Sequence, residues 1–469
     1  MSVQLTKELN AYSAAFLELQ ERSNASGSAS WINRLRETAF DSFEQLSLPT
    51  TRDEEWKYTN VAPLAKLKFA LAPSEGKEQN STNVKIDEHK IDADTLKDFI
   101  YPEARGSQLV FVNGIFSAGL SSIIDLPQGV IAMSLAEALR DETHANILRE
   151  RLARKADYNE NGFVALNTAF LESGAFVFVP KGVRVDVPLH LMFLSDPREK
   201  DAPPVSFPRV LIVAEKDSAV TVIESYASAQ DGVSLTNAVV EIFVEDNARV
   251  DHYKVQRESA ESFHIATTAA TLGRDSNLSS TTITLGAQLS RHGINVTLDA
   301  EGSECAVDGL YLVTTGQHTD THSVIDHRQP HCTSHQLYKG ILDGKSRAVF
   351  NGKIFVREGA QQTNAFQTNR NLLLSGEARV DTKPQLEIFA DDVKCSHGAT
   401  VGQLEEEELF YLLSRGLHVD LARNLLTYGF AEEVINKIKI ESIREQLDEA
   451  VLNRLQARLE TQEEAVDIK

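Results

Sequence analysis

The chain has 469 residues, 42% of them hydrophobic and 25% charged, which is ordinary for a soluble globular protein and long enough for two or three domains if one is elongated. Its 68 acidic residues outnumber 47 basic ones, for a formal charge of -21, which argues against a nucleic-acid partner because phosphate binding needs a basic footprint. The three cysteines, Cys305, Cys332 and Cys395, are too sparse for a disulfide framework, and no apolar run suits a secretion signal or a membrane span, so a reducing cytoplasm is expected.

The first 45 or so residues predict two helices. Leu5, Leu9, Tyr12, Phe16 and Leu19 fall at three- and four-residue steps and make one apolar stripe. A polar break from Ser23 to Ser28 separates it from a second helix over Trp31 to Leu46. Next comes Arg52-Asp-Glu-Glu-Trp-Lys-Tyr-Thr-Asn60, a charged segment with two aromatics. Residues 73–92 read as a loose polar linker, Gln108 to Phe116 as a strand and turn, and Leu135 to Ala156 as helical. Residues 1–156 are thus expected to form a helical, mixed N-terminal domain.

From Phe163 to Ala390 helical periodicity is scarce and short β-branched runs recur between Gly, Asp and Asn. Segments opening at Asp217, Asp246, Asp275, Gly302, Gly344 and Gly376 share one turn-and-strand pattern, with starts 29, 29, 27, 42 and 32 residues apart. Gly182 opens an earlier member. Units of this size suggest stacked coils, each burying its inward side chains against the next. The spacing favours this over an antiparallel sandwich. The expected fold class is mainly β, a right-handed parallel β-helix (solenoid) over residues 157–400 flanked by N- and C-terminal helical regions.

After Gly402 the pattern is helical through residues 401–469. One helix opens with Glu405 to Glu408, where the helix dipole favours acids; another opens at Asp420 and is expected to end at Gly429. Ile440, Ile443, Leu447, Val451, Leu455 and Leu459 form a last stripe, either self-packed or a docking face.

Three motifs invite chemistry. Gly340-Ile-Leu-Asp-Gly-Lys-Ser346 is one residue short of a phosphate loop and lies among strands, so it reads as a coil corner. His318, His322, His327, His331 and His335 crowd with Cys332 into eighteen residues, in the longest repeat. Imidazole and thiolate can capture metal, yet the spacing fits no compact zinc pattern and strand alternation can split the set between two faces, so a polar surface competes with a metal role. Cys395 and His397 stand two apart and, on a strand, point the same way. They are a soft, metal-competent pair, but zinc and two-iron clusters want four ligands, so the pair is either a buried structural cysteine beside a histidine or half a site completed by another chain. No Ser/His/Asp arrangement and no carboxylate pair for acid–base work stands out.

Several longer motifs carry a resemblance. Phe163-Val-Ala-Leu-Asn167, Val179-Pro-Lys-Gly-Val183, Gln336 to Ile341, Asn364 to Asn371, Val393 to Gly402 and Glu408 to Gly416 are similar to motifs of the SufB/SufD family of iron–sulfur assembly proteins. Arg52 to Asn60, and the paucity of cysteines, resemble the SufD branch. The resemblance implies a non-enzymatic scaffold subunit of the SUF complex that pairs its solenoid with SufB and binds the SufC ATPase through its C-terminal helices. It also implies that Cys395 and His397 border the site where a transient iron–sulfur cluster forms between SufB and SufD, with no cofactor held tightly by the isolated chain. It assigns no role to the histidine cluster. A homodimer of the isolated chain is the other pairing that open strand edges allow. A self-assembling structural solenoid and a polysaccharide-acting β-helix enzyme are the rival readings; the second calls for a secretion signal and clustered carboxylates, which are not evident.

Overall fold

A computed structural model describes residues 2–26, 29–67, 91, 96–124, 126–198 and 203–452. The expected linker therefore lies outside the described residues except for Ile91, as do Leu455, Leu459 and the side chains of Leu5 and Leu9.

From Gly174 to Gly402 the chain alternates between two mostly parallel sheets, so each coil contributes to both, with Val205–Ser206 and Arg209–Ala214 sharing one place in the second sheet. In the first sheet the register steps through Arg249, Asn277, Glu304, Thr333 and Asn364, advances of 28, 27, 29 and 31 residues. In the second it steps through Leu235, Phe263, Leu289, His318, Arg347 and Arg379. A flattened parallel β-solenoid results, as the sequence predicts.

The 42-residue repeat is not a lengthened coil. The first four repeat starts mark the corner that leads into the first sheet, whereas Gly344 and Gly376 mark the corner that leads into the second. The pattern changes phase by half a coil, and His318 sits 29 residues from its register partner on either side. The first corner has a steric signature: Gly182, Asp217, Asn247, Asp275, Gly302, His331 and Gln362 all take positive φ. Small polar residues and glycine tolerate that left-handed conformation best. Each sends its N–H to a carbonyl of the next coil, as Asn247 does to Arg274 (2.7 Å) and His331 to Gln361 (2.9 Å), which stacks the corners. The Gly340–Ser346 motif is the opposite corner, with Lys345 N–H donating to Thr315 Oγ1 at 3.1 Å.

The continuous coils begin later than Phe163, at Gly174, although strand Ser107–Val112 already pairs in parallel with Leu189–Ser195 in the first sheet. Residues Gly162–Ala169 form a buried helix, capped by Asn161, whose side chain accepts from the N–H groups of Phe163 (3.0 Å) and Val164 (3.3 Å). Its apolar residues face partners on all sides, a pattern that β-branched content alone does not separate from a buried strand. It joins helices Ser2–Ser26 and Ser30–Leu46 in a cluster with Tyr12, Phe16, Leu19, Phe40, Phe43 and Trp56 that covers the outer face of the second sheet at Leu235, Phe263 and Leu289.

The C-terminal helices cover the other outer face. Val434, Ile435, Ile438, Ile440, Ile443, Leu447 and Val451 pack on Ile223, Tyr253, Val255, Ile283, Leu310 and Ile341. Lys437 with Asp308 (3.0 Å) and Lys439 with Asp251 (2.8 Å) pin the junction. The terminal stripe is therefore self-packed over its described length. Gly429 does not end its helix, which runs Val419–Ile435; the position has ordinary helical φ and open space where a Cβ would go. No described helix is long and apolar enough to cross a membrane.

Candidate functional site

Among the described residues the two sheets end on Val393–Gly402 and Arg379–Ile388, and each of these strands is hydrogen-bonded along one edge only. This end of the solenoid is open. Val393 and Cys395 pack against the interior apolar core, which fixes the facing of the strand. By alternation His397 points to the same inward side, but among the described residues no further coil lies over it and it is exposed. Both residues of the expected half-site thus line the mouth of the solenoid. Burial pushes the Cys395 thiol up, opposed by a hydrogen bond from the Ala365 backbone.

Register carries these columns inward. Cys395 lies beside Ala365, then Ser334, then Cys305. His397 lies beside Gln367, then Gln336, then Val307. Gln367 Nε2 donates to Gln336 Oε1 at 2.7 Å, and Ser323 Oγ donates to the same oxygen at 3.2 Å. Cys305 is buried deep in the core and its thiol is held well above the ordinary range by burial.

The five histidines and Cys332 do not gather at one point. His327 faces the interior, with Nε2 2.8 Å from Ser334 Oγ, and burial pushes its pKa down to about 4. His331 occupies the left-handed corner position, exposed, 3.8 Å from Glu301. Cys332 is buried beside it, Sγ 3.3 Å from Ser303 Oγ. His335 stacks on Phe366 with ring centroids 5.4 Å apart. Among the described residues no group of three or more His, Cys, Asp or Glu side chains could hold a metal ion.

His318 and His322 instead meet the Arg52–Asn60 segment. His322 Nδ1 is 3.0 Å from Glu55 and its Nε2 is 3.0 Å from Asp320, so both ring nitrogens face carboxylates. Burial opposes charge on that ring, but Asp320 and Glu55 outweigh it and hold its pKa above the usual value. Thr59 Oγ1 lies 2.9 Å from His318 Nε2 and donates to Asp320 Oδ2 at 2.5 Å. Asp320 also pairs with Arg291, whose guanidinium sits 3.8 Å from the Trp56 ring centroid. Two motifs that are separate in sequence are thus the two sides of one clamp, which seats the N-terminal segment on the second sheet.

A second network lies wholly inside the solenoid and escapes a motif search. Glu224 is 2.7 Å from His252 Nε2 and accepts from Tyr226 at 2.7 Å. Lys254 Nζ is 2.7 Å from His264 Nε2, whose Nδ1 is 2.8 Å from Glu258. Burial lowers Lys254 to about 8. Its signal in the residues is an inverted alternation: His252, Lys254 and Gln256 point in, while Tyr253 and Val255 point out beneath the C-terminal helices. Apolar residues mark the interior only when the exterior is wet.

A surface of a different kind remains uncovered. Phe410 is 72% exposed and Tyr411 57%, with Leu413, Val419, Leu421 and Leu425 also exposed on helices Glu406–Ser414 and Val419–Ile435. Contiguous exposed apolar residues mark interaction surfaces.

Two family models match the chain: the SufBD protein N-terminal region over residues 7–191, and the SufBD core domain of SUF system FeS cluster assembly over residues 196–430. An iron–sulfur cluster assembly SufBD family protein of Synechocystis is 39% identical across 96% of this chain and 95% of its own length. The chain belongs to the SufBD family of iron–sulfur cluster assembly proteins, as its motifs suggest. Within the family it is similar to the iron–sulfur cluster assembly protein SufD of Escherichia coli, 32% identical over 88% of this chain and 89% of that protein. It is also similar to protein ABCI7, chloroplastic, of Arabidopsis thaliana, 31% identical over 91% of this chain and 87% of that protein.

Proposed function

We propose that this chain is a non-catalytic scaffold subunit that brings half of a cluster-assembly site to a partner. The observation that carries the reading is the open solenoid end, where Cys395 and His397 share the inward side of a strand with a free edge. The partner is a SufB-like solenoid, which docks on that end and supplies the missing ligands. An iron–sulfur cluster needs about four ligands and this chain offers two. The nascent cluster is cargo and sits between the subunits only transiently.

A SufC-like ATPase binds the C-terminal region. The Ile440–Val451 stripe does not serve it, because the stripe is buried against the solenoid. The exposed set from Phe410 to Leu425 does. The three unpaired cysteines support a reducing compartment, the cytoplasm in this reading.

The test is His397→Ala in the complex co-purified with SufB-like and SufC-like partners. Iron and sulfide loading should fall at least about tenfold, the scale on which perturbing metal-site ligation acts, while both partners still co-purify. Full loading removes His397 from the site. Failure of the unaltered chain to capture either partner overturns the scaffold reading.

A further inference from the structure

The residue register-paired with His397 has an unused acceptor. Gln367 is 1% exposed, yet its Oε1 is buried without a hydrogen-bond partner. A buried, unpaired amide oxygen is costly and calls for an explanation. The amide is not loose. Its Nε2 is tied to Gln336, which Ser323 holds in turn. Gly352 on the facing sheet makes room for it, since a Cβ at that position would collide with the Gln367 amide. The His397 ring has no hydrogen bond or ion pair among the described residues. Neighbouring strands lie about 4.8 Å apart, so the imidazole and the amide stand side by side on the inward face.

A histidine that binds metal through one ring nitrogen donates its other N–H to a carbonyl or carboxylate, which fixes the tautomer and raises the basicity of the ligand. We propose that Gln367 is this positioning residue. Its Oε1 receives the N–H of the His397 nitrogen turned away from the cargo, and the Ser323–Gln336 relay keeps that oxygen aimed outward. The proposal rests on the reading of His397 as a ligand. It accounts for a polar floor where the interior meets the open mouth.

The experiment uses the complex with SufB-like and SufC-like partners, loaded with ferrous iron and sulfide, in four forms: unaltered, Gln367→Leu, Gln367→Glu and His397→Ala. Leucine keeps the volume but removes the acceptor, and glutamate keeps an acceptor oxygen. Gln367→Leu should lower cluster retention roughly tenfold and raise the cluster midpoint potential, because a less basic imidazole stabilises the oxidised cluster less. Gln367→Glu should restore retention, with a potential at or below that of the unaltered complex. The proposal is overturned if Gln367→Leu leaves retention and potential unchanged while His397→Ala impairs both, or if leucine and glutamate act alike. If His397→Ala changes neither, the site reading falls and this inference with it. A purely packing role would shift the unfolding midpoint and leave the potential in place.

Discussion

Replacing Glu241 with alanine should lower the unfolding free energy by about 3–5 kcal/mol, the scale on which a buried charge is left without its partner. Glu241 and Arg209 are both fully buried and lie 2.6 Å apart. Arg209 is further held by Asn167 Oδ1 at 3.2 Å and Thr168 Oγ1 at 3.1 Å, both on the Gly162–Ala169 helix. Glu241 does a second job: its carboxylate accepts from the N–H groups of Ala153 (2.7 Å), Arg154 (2.8 Å), Lys155 (2.7 Å) and Ala156 (3.2 Å). Removing it strands a guanidinium and four backbone donors at the junction of the N-terminal region and the solenoid. Denaturant midpoints measure the cost. Glu301→Ala serves as the contrast, because its pairing with Arg274 is exposed and screened by solvent, so its loss should be far smaller. Equal losses from the two variants would refute the anchoring role of Glu241.

The second large effect is acid sensitivity well above the carboxylate range. Burial drives His190 down to about 3 and His327 to about 4, and lowers His264 and His292 as well. A depressed folded pKa means that the unfolded chain takes up the proton first. Stability is therefore complete above about 6.5, the unfolded value, and is lost as pH falls toward the folded values. Each of His190 and His327 contributes on the order of 3–5 kcal/mol when that loss is complete, because every pH unit between the folded and unfolded titration points is worth about 1.4 kcal/mol. The buried carboxylates Glu224 and Glu258, lowered below their ordinary value, add to the loss only below about 4.5. His322 runs the other way: its pKa is raised, so its contribution is present below about 6.5 and disappears as pH rises past the folded value. Thermal midpoints between about pH 7 and 4.5 should fall steadily, and His327→Gln should flatten the slope. A midpoint that stays constant over that window would show that these rings titrate freely.

Much of this is legible in the residues, for identifiable reasons. The turn-and-strand repeat announces the solenoid because the left-handed corner restricts composition to residues such as Asp217, Asn247 and Gly302. The same corner accepts His331 and Gln362, which break the pattern and make a half-coil phase change look like a 42-residue repeat. Cys395 and His397 stand out because alternation on a strand is local information. The clamp does not, since it needs Glu55 and His322 brought together across 267 positions by tertiary packing. Nor does the Arg209–Glu241 pair, whose members sit on neighbouring strands among apolar residues without any motif. Gly429 looks like a stop in the sequence, but a glycine ends a helix only where φ turns positive, and there it does not.

The one-sided pairing of Val393–Gly402 has a kinetic meaning. In a stacked array each rung is held by its nearest neighbours, so a terminal rung has half the hold of an inner one. Its amides are the first to open and exchange with solvent, while those of the inner coils wait for larger disruptions. On the proposed function, the two residues offered to the cargo, Cys395 and His397, therefore ride on a terminal, softer rung. A partner strand laid along that edge stiffens the rung and orders both side chains at once. Under that proposal, subunit pairing and ligand ordering become one event, and a lone subunit would be a poor trap for stray metal.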